Sequence, residues 1–215
     1  MFAACRHLTE QLTRSPLSKG RPGSRVTFFP SQKNGGPVAC GNLQQADYCV
    51  LLEYQPEVRS YKCRPPTLRR GDLRYKADFL VFLNNGREVY HKFQPTAASP
   101  EAFSAGQKQA VETMLFDNGL FFHWLIPEDL PHPLVHHNLR FLYHHGFGSS
   151  RKAASRVRRQ VLAQPERQMS FKALLASGAI PTDISHAIFL DELRIRLEQR
   201  ITLETMIYGG HYGHC

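Results

Sequence analysis

Nowhere in the 215 residues does an apolar run approach the roughly 18 residues that a membrane-crossing helix needs, so no membrane partner is expected. The opening Met1-Phe2-Ala3-Ala4-Cys5-Arg6-His7 soon turns polar and offers no continuous apolar core for a signal peptide. Five cysteines, at positions 5, 40, 49, 63 and 215, form no CxxC pair. Their odd count and irregular spacing argue against a disulfide scaffold and fit a reducing, cytoplasmic compartment. There is no GxxxxGK[ST], so ATP hydrolysis would fall to a partner. The histidines His123, His132, His136, His137, His144 and His145 include no HExxH, and no cysteine stands at zinc spacing from them.

Negative charge is also scarce, with 27 Lys and Arg against 18 Asp and Glu, a net charge of +9. The excess is concentrated: residues 1–100 carry 15 basic and 7 acidic residues, leaving 12 and 11 for the remainder. Such a balance suits nucleic acid, an acidic protein or an anionic surface. The densest cluster is Arg59, Lys62, Arg64, Arg69, Arg70, Arg74 and Lys76, opposed only by Asp72. A second, Arg151, Lys152, Arg156, Arg158 and Arg159, follows the turn GFGSS. The plainer reading of either cluster is a solvated face that keeps the chain soluble.

Residues 1–24, with TRSPLSKGRPGS, read as a flexible basic arm. RVTFFPS is a short strand candidate, and SQKNGGPVACGN reads as a loop. From Leu43 to Tyr54 the apolar residues recur at helical spacing, with Asn42 placed to cap and Pro56 to stop the helix. Glu57 to Lys62 reads as a strand. The run Phe79 to Leu83 is apolar throughout, as in a strand buried on both faces. Asn84-Asn85-Gly86 predicts a hairpin turn, with Glu88 to Phe93 as the partner strand. Glu101 to Leu115 suits a helix, GLFFHWLI a buried strand and LVHHNLRFLYHH a helix. This order defines an α/β domain with a mixed sheet flanked by helices. Beyond Arg151 the character is helical with short breaks, and LDELRIRLEQRITLETMI is amphipathic. A small helical or winged-helix-like domain is expected there, giving boundaries at 1–24, 25–147 and 148–215.

The blocks QADYCVLLEYQPEVRSYKCRPP, YKADFLVFLNNG and VYHKFQP, with GLFFHWLIPEDLPHPLVHHNLRFLYHH further on, resemble the TnsA family, the endonuclease subunit of heteromeric transposases. Residues 168–207 weakly resemble its C-terminal helical region. The resemblance implies a restriction-endonuclease-like fold, cutting at the 5′ ends of a transposon, and three partners: DNA, a DDE-type transposase subunit and an ATP-dependent regulator.

Phosphodiester hydrolysis on such a fold needs carboxylates to hold Mg²⁺ or Mn²⁺, which polarises the phosphate and activates water. A nearby lysine opposes developing charge. Asp78 suits this role because it opens an apolar strand. Matching the family's ExDYxxLL(D/E) pattern places Gln45 at the glutamate, with Asp47 and Tyr48 following. Matching (E/Q)xKP to KFQP places Lys92 at the ligand position and Gln94 at the lysine position. Only Asp78 therefore keeps its chemical type. A migrated site would use Asp78 and Glu88 as metal ligands with Lys92 as the ammonium, because residues 88, 90 and 92 share a strand face. Glu53 is a further carboxylate, about 12 Å from Gln45 by helical rise.

Three functions compete. The first is a DNA-binding TnsA-like subunit with a degraded nuclease site, its basic cluster from Arg59 to Lys76 tracking phosphates. The second is an active metal-dependent endonuclease. The third is a basic protein-interaction module without DNA binding.

Overall fold

A computed structural model describes residues 10–15, 17, 26–95 and 104–210. The chain divides into two compact units, Met1–Leu130 and Pro131–Cys215. The helix after Pro133 thus belongs to the second unit, and residues 147/148, the boundary expected from sequence, lie within it.

The described part of the first unit runs β1 (Glu10–Leu12), β2 (Thr27–Ser31), β3 (Gly36–Cys40), α1 (Leu43–Tyr54), β4 (Val58–Cys63), β5 (Thr67–Arg70), β6 (Leu73–Tyr75), β7 (Phe79–Leu83), β8 (Glu88–Phe93), α2 (Ala105–Asp117) and β9 (Phe121–Leu125). Its central sheet has the order β4-β7-β8-β9. The first three strands are antiparallel neighbours, and β9 lies parallel to β8. A parallel neighbour requires a crossover, and α2 supplies it. Asn84-Asn85-Gly86 turns β7 into β8, with Gly86 at φ 82°, a conformation glycine adopts without a Cβ clash.

Strand register assigns the two faces. Leu80 and Tyr90, directly opposed, pack with Leu68, Tyr75, Val111, Met114 and Leu115 in a core beneath α2. Phe79 and Phe93 point the other way, where Tyr48 of α1 meets their rings at 5.2 and 5.4 Å. α1 begins at Asn42, whose side chain accepts from the Gln45 N–H at 2.8 Å. Ser104 caps α2 with a reciprocal Gln107 capping box.

Of the expected arm at 1–24, residues 10–15 and 17 are described, and Glu10–Leu12 pairs with β5 in a three-stranded sheet β1-β5-β6. The segment SQKNGGPVACGN, expected to be a loop, instead carries β3 and forms a hairpin with β2. Its link to the helix is polar. Buried Glu53 accepts from Ser31 Oγ at 2.5 Å, Tyr61 Oη at 2.9 Å and the Lys33 N–H at 3.2 Å.

The second unit comprises α3 (Pro133–Gly146), α4 (Arg151–Leu162), β10 (Gln168–Ser170), α5 (Phe171–Ala176), α6 (Pro181–Phe189) and β11 (Met206–Tyr208). β10 and β11 pair antiparallel, and Arg194 bridges to the other side of β11 at Tyr208. Pro133 opens α3 and His132 caps it, because proline in the first helical turn forfeits no hydrogen bond. The amphipathic segment LDELRIRLEQRITLETMI is not a helix. α6 ends at Phe189, Asp191 takes φ 57°, and turns lead to β11. Leu193, Ile195 and Leu197 also alternate with polar residues, and that two-residue period prevails locally. Among the described residues no helix is long and apolar enough to cross a membrane.

Candidate functional site

Asp78 sits one residue before β7, where that strand meets the end of β8. Its backbone N–H donates to the His91 carbonyl at 2.9 Å, and its carbonyl accepts from the Arg64 N–H at 2.7 Å. The carboxylate is thereby aimed at the end of the sheet, between α1 and β8.

Three side chains assigned to the site from sequence converge there. Gln45 Nε2 donates to Asp78 Oδ1 at 3.0 Å. The Phe93 N–H donates to Asp78 Oδ2 at 3.0 Å, and Lys92 Nζ lies 3.8 Å from the same oxygen. Gln45 and Lys92 are 5% and 4% exposed, so these contacts act away from bulk water and its screening. The Gln45 amide is oriented by its other end, where Oε1 accepts from the Gly41 N–H at 2.8 Å and from Cys63 Sγ at 3.4 Å. Both oxygens of Asp78 are thus engaged by donors, one of them near a buried ammonium.

This donor set does not suit a divalent cation. Such an ion wants several oxygen ligands, anionic ones above all. Here the single carboxylate is already hydrogen-bonded to the amide placed where a second carboxylate would be needed. The buried ammonium beside it repels a cation. Among the described residues no group of three or more His, Cys, Asp or Glu side chains is arranged to hold a metal.

The remaining sequence candidates lie elsewhere. Glu88 is exposed and opposite Phe82, four residues along β8 from Lys92 and so about 13 Å away by strand rise. The migrated pair Asp78 and Glu88 is therefore not brought together. Gln94 is exposed, and its backbone N–H donates to Leu125. Glu53 is committed to Ser31 and Tyr61.

The basic cluster is dispersed. Arg59 lies towards the end of β4 away from Asp78, since Val58 pairs with Leu83 and Cys63 with Phe79. Lys62 lies over the Phe82 ring at 5.4 Å, and Arg70 pairs with Asp117 at 2.9 Å. Arg69 and Arg74 are cross-strand neighbours on β5 and β6, and Lys76 is exposed. Arg64 is next to Asp78 through its backbone, with φ 53°. Arg14 donates to the Ala77 carbonyl at 2.7 Å; nothing in TRSPLSKGRPGS marked this arginine as a neighbour of the site.

A second polar group lies under α1. Tyr48 Oη and His91 Nδ1 are 2.8 Å apart, the His91 and His123 rings stand 5.6 Å apart, and His123 Nε2 is 3.1 Å from Asp129 Oδ2. Burial, and then the neighbouring His123, lower the His91 pKa to about 4, against a partial opposing pull from Asp129. His91 is thus neutral at physiological pH. Burial also pushes the Tyr48 hydroxyl up. Cys40, Cys49 and Cys63 form a thiol group behind Gln45, with Cys40 and Cys49 sulfurs 3.7 Å apart. Hydrogen bonding to Cys40 and burial hold the Cys49 and Cys63 thiols above the ordinary range, whereas their hydrogen bonds hold the Cys40 thiol below it.

No family model matches the chain, and no curated protein matches it either.

Proposed function

We propose that this chain is a DNA-binding subunit of the TnsA type whose nuclease site no longer cuts, and that it serves a DDE-type transposase subunit and an ATP-dependent regulator. The observation that carries this reading is the engagement of Asp78 by the Gln45 amide, the Phe93 N–H and, at longer range, Lys92. Two further features support it. The order α1-β4-β7-β8-α2-β9, with β5 and β6 set in a separate sheet between β4 and β7 and one parallel pair at the end of the mixed sheet, is compatible with a restriction-endonuclease-type core. In the second unit, α4, β10, α5, α6, the Arg194 bridge, a loop and β11 follow one another as in a winged-helix domain.

The test combines DNA binding with cleavage. Wild type, Asp78→Ala and the triple variant Gln45→Glu, Lys92→Glu, Gln94→Lys are incubated with supercoiled DNA, Mg²⁺ or Mn²⁺ and the transposase subunit. The expected result is salt-sensitive binding by all three and no nicking by wild type. Nicking by wild type that disappears in Asp78→Ala refutes the degraded site. Absence of DNA binding even at low salt refutes the DNA-handling role and leaves the basic surfaces to an acidic protein.

A further inference from the structure

In a winged-helix arrangement the helix corresponding to α6 is the usual reader of a DNA groove. Here α6 is ill suited to that part, because its accessible first turn carries Asp183 and no basic residue. Its residues Ile184 through Phe189 are all buried. α3 also packs on it so closely that a Cβ at Gly146 would stand 2.8 Å from the His186 backbone nitrogen. Another surface of this unit is better placed to meet a nucleic acid.

α4 offers one. Ala154, Val157 and Val161 form its buried face. Arg151, Lys152, Arg156, Arg158 and Arg159 are all exposed. Lys152, Arg156 and Arg159 follow i, i+4, i+7 and share one stripe, about 10 Å long by helical rise. None of the five has an ion-pair partner among the described residues. Of the acidic residues around the helix, Asp191 and Glu192 are engaged by Arg194 at 2.9 Å and Ser155 at 3.1 Å, and Asp183 accepts from Ser149 Oγ at 2.6 Å just before the helix start. Asp191 and Glu192 share a hollow with Ser155 and Arg158, on the flank of the helix adjoining the stripe.

The helix start adds an independent argument. The first turn of α4 contains no acidic residue and begins Arg151-Lys152. The positive end of a helix dipole disfavours cations there by a few tenths of a kcal/mol or more and favours an anion. Two cations stand at that end, with the Asp183 carboxylate nearby on Ser149 Oγ.

We propose that the exposed face of α4, centred on Lys152, Arg156 and Arg159 with Arg151 at its start, binds the phosphate backbone of duplex DNA without reading sequence. The proposal rests on the DNA-handling reading above, but names a surface in the second unit that does not depend on the Asp78 site or on the cluster from Arg59 to Lys76.

The test measures binding of the full-length chain to a fluorescent duplex of arbitrary sequence between 50 and 200 mM salt. It compares wild type, the triple variant Lys152→Gln, Arg156→Gln, Arg159→Gln, and the first-unit variant Arg64→Gln, Arg69→Gln, Arg74→Gln. Removing three phosphate contacts is expected to lower the magnitude of the log–log salt slope by about 2 to 3 and to weaken binding at least about tenfold at 100 mM salt. Charge-preserving Arg156→Lys with Arg159→Lys is expected to retain the slope, which separates lost charge from lost fold. Unchanged slope and affinity in the neutralised α4 variant, with wild type binding, overturn the α4 proposal and leave DNA handling intact. Loss on α4 neutralisation but not in the first-unit variant supports the proposal and removes the cluster at 59–76 from the interface. Wild type that does not bind at 50 mM salt overturns both.

Discussion

Replacing Gln45 by glutamate changes one NH₂ group to an oxygen, and its consequence can be worked from the distances around Asp78. The Gln45 Nε2 atom that now donates at 3.0 Å becomes a carboxylate oxygen facing Asp78 Oδ1. Two unit negative charges centred about 4 Å apart repel by about 4 kcal/mol at an effective dielectric constant near 20. Lys92 Nζ, 3.8 Å from Asp78 Oδ2, offsets part of this, leaving an expected destabilisation of about 2 to 3 kcal/mol at pH 8. Divided by 1.36 kcal/mol per pH unit, that raises the new carboxyl from its free value near 4.3 to roughly 6. Because an acid with a raised folded-state pKa binds more protons when folded, stability falls as pH rises. The difference between variant and wild type should therefore be small at pH 4 and grow to its full value above about pH 6.5. Urea unfolding of both proteins at pH 4.5, 6 and 8 reads this directly, and subtraction removes titrations common to both. A pH-independent difference, or none at pH 8, refutes the hydrogen-bonded geometry of Gln45 and Asp78. Mn²⁺ should restore part of the stability of Gln45→Glu and none in wild type.

Asp78→Ala is expected to cost about 2 to 4 kcal/mol by removing the carboxylate that faces the buried Lys92 ammonium and accepts from the Gln45 amide. Adding Lys92→Met should recover part of that loss in a double-mutant cycle; strict additivity counts against the ion pair. Tyr75→Phe should be neutral or stabilising by about 1 kcal/mol, because the buried Tyr75 hydroxyl has no hydrogen-bond partner among the described residues and an unsatisfied group carries a desolvation cost. A large loss in urea unfolding would reveal a bond to that hydroxyl. With a folded pKa of about 4 against 6.5 unfolded, His91 contributes stability that is complete above pH 6.5 and is lost as pH falls towards 4. His91→Asn should flatten that part of the stability profile. Gly146→Ala drives a methyl group into the His186 backbone and should destabilise the second unit by about 1 to 3 kcal/mol, seen as a lowered midpoint of thermal unfolding.

The legible parts of the sequence were those with strong local signals. The Asn42 cap, the Pro56 stop, the apolar run from Phe79 and the Asn84-Asn85-Gly86 turn place α1, β7 and β8 almost to the residue, because cap, turn and burial patterns all agree. β5 and β6 escaped notice because Leu68-Arg69-Arg70 and Leu73-Arg74-Tyr75 are so basic that charge masked their pairing around Gly71, which takes φ 61°. The segment after Phe189 supported both a helical and a two-residue period, and pairing of Arg194 with Tyr208 is a long-range fact that neither period contains. At the site, family spacing brought Gln45, Asp78 and Lys92 to one place. It could not show that the amide points at the carboxylate, nor that Glu88 and Arg59 lie towards the far ends of their strands. Strand parity assigns a face, whereas register decides which end of a face a residue occupies.

The contacts of Asp78 join residues 45, 78 and 92: Asp78 and Lys92 meet across one hairpin, whereas Gln45 lies on a helix beyond β4, β5 and β6. The contact with Gln45 closes the longer loop and is the harder to assemble during folding, so what secures it guards the packing of α1 on the sheet. Substituting any one of the three members removes a polar contact from a partner that is buried or half-buried. Selection for a stable chain is then sufficient to preserve them, with no contribution from cutting DNA. In relatives of this protein, persistence of an Asp–Gln–Lys trio would therefore record a constraint on folding, and drift at these positions should occur as paired exchanges more often than as single steps.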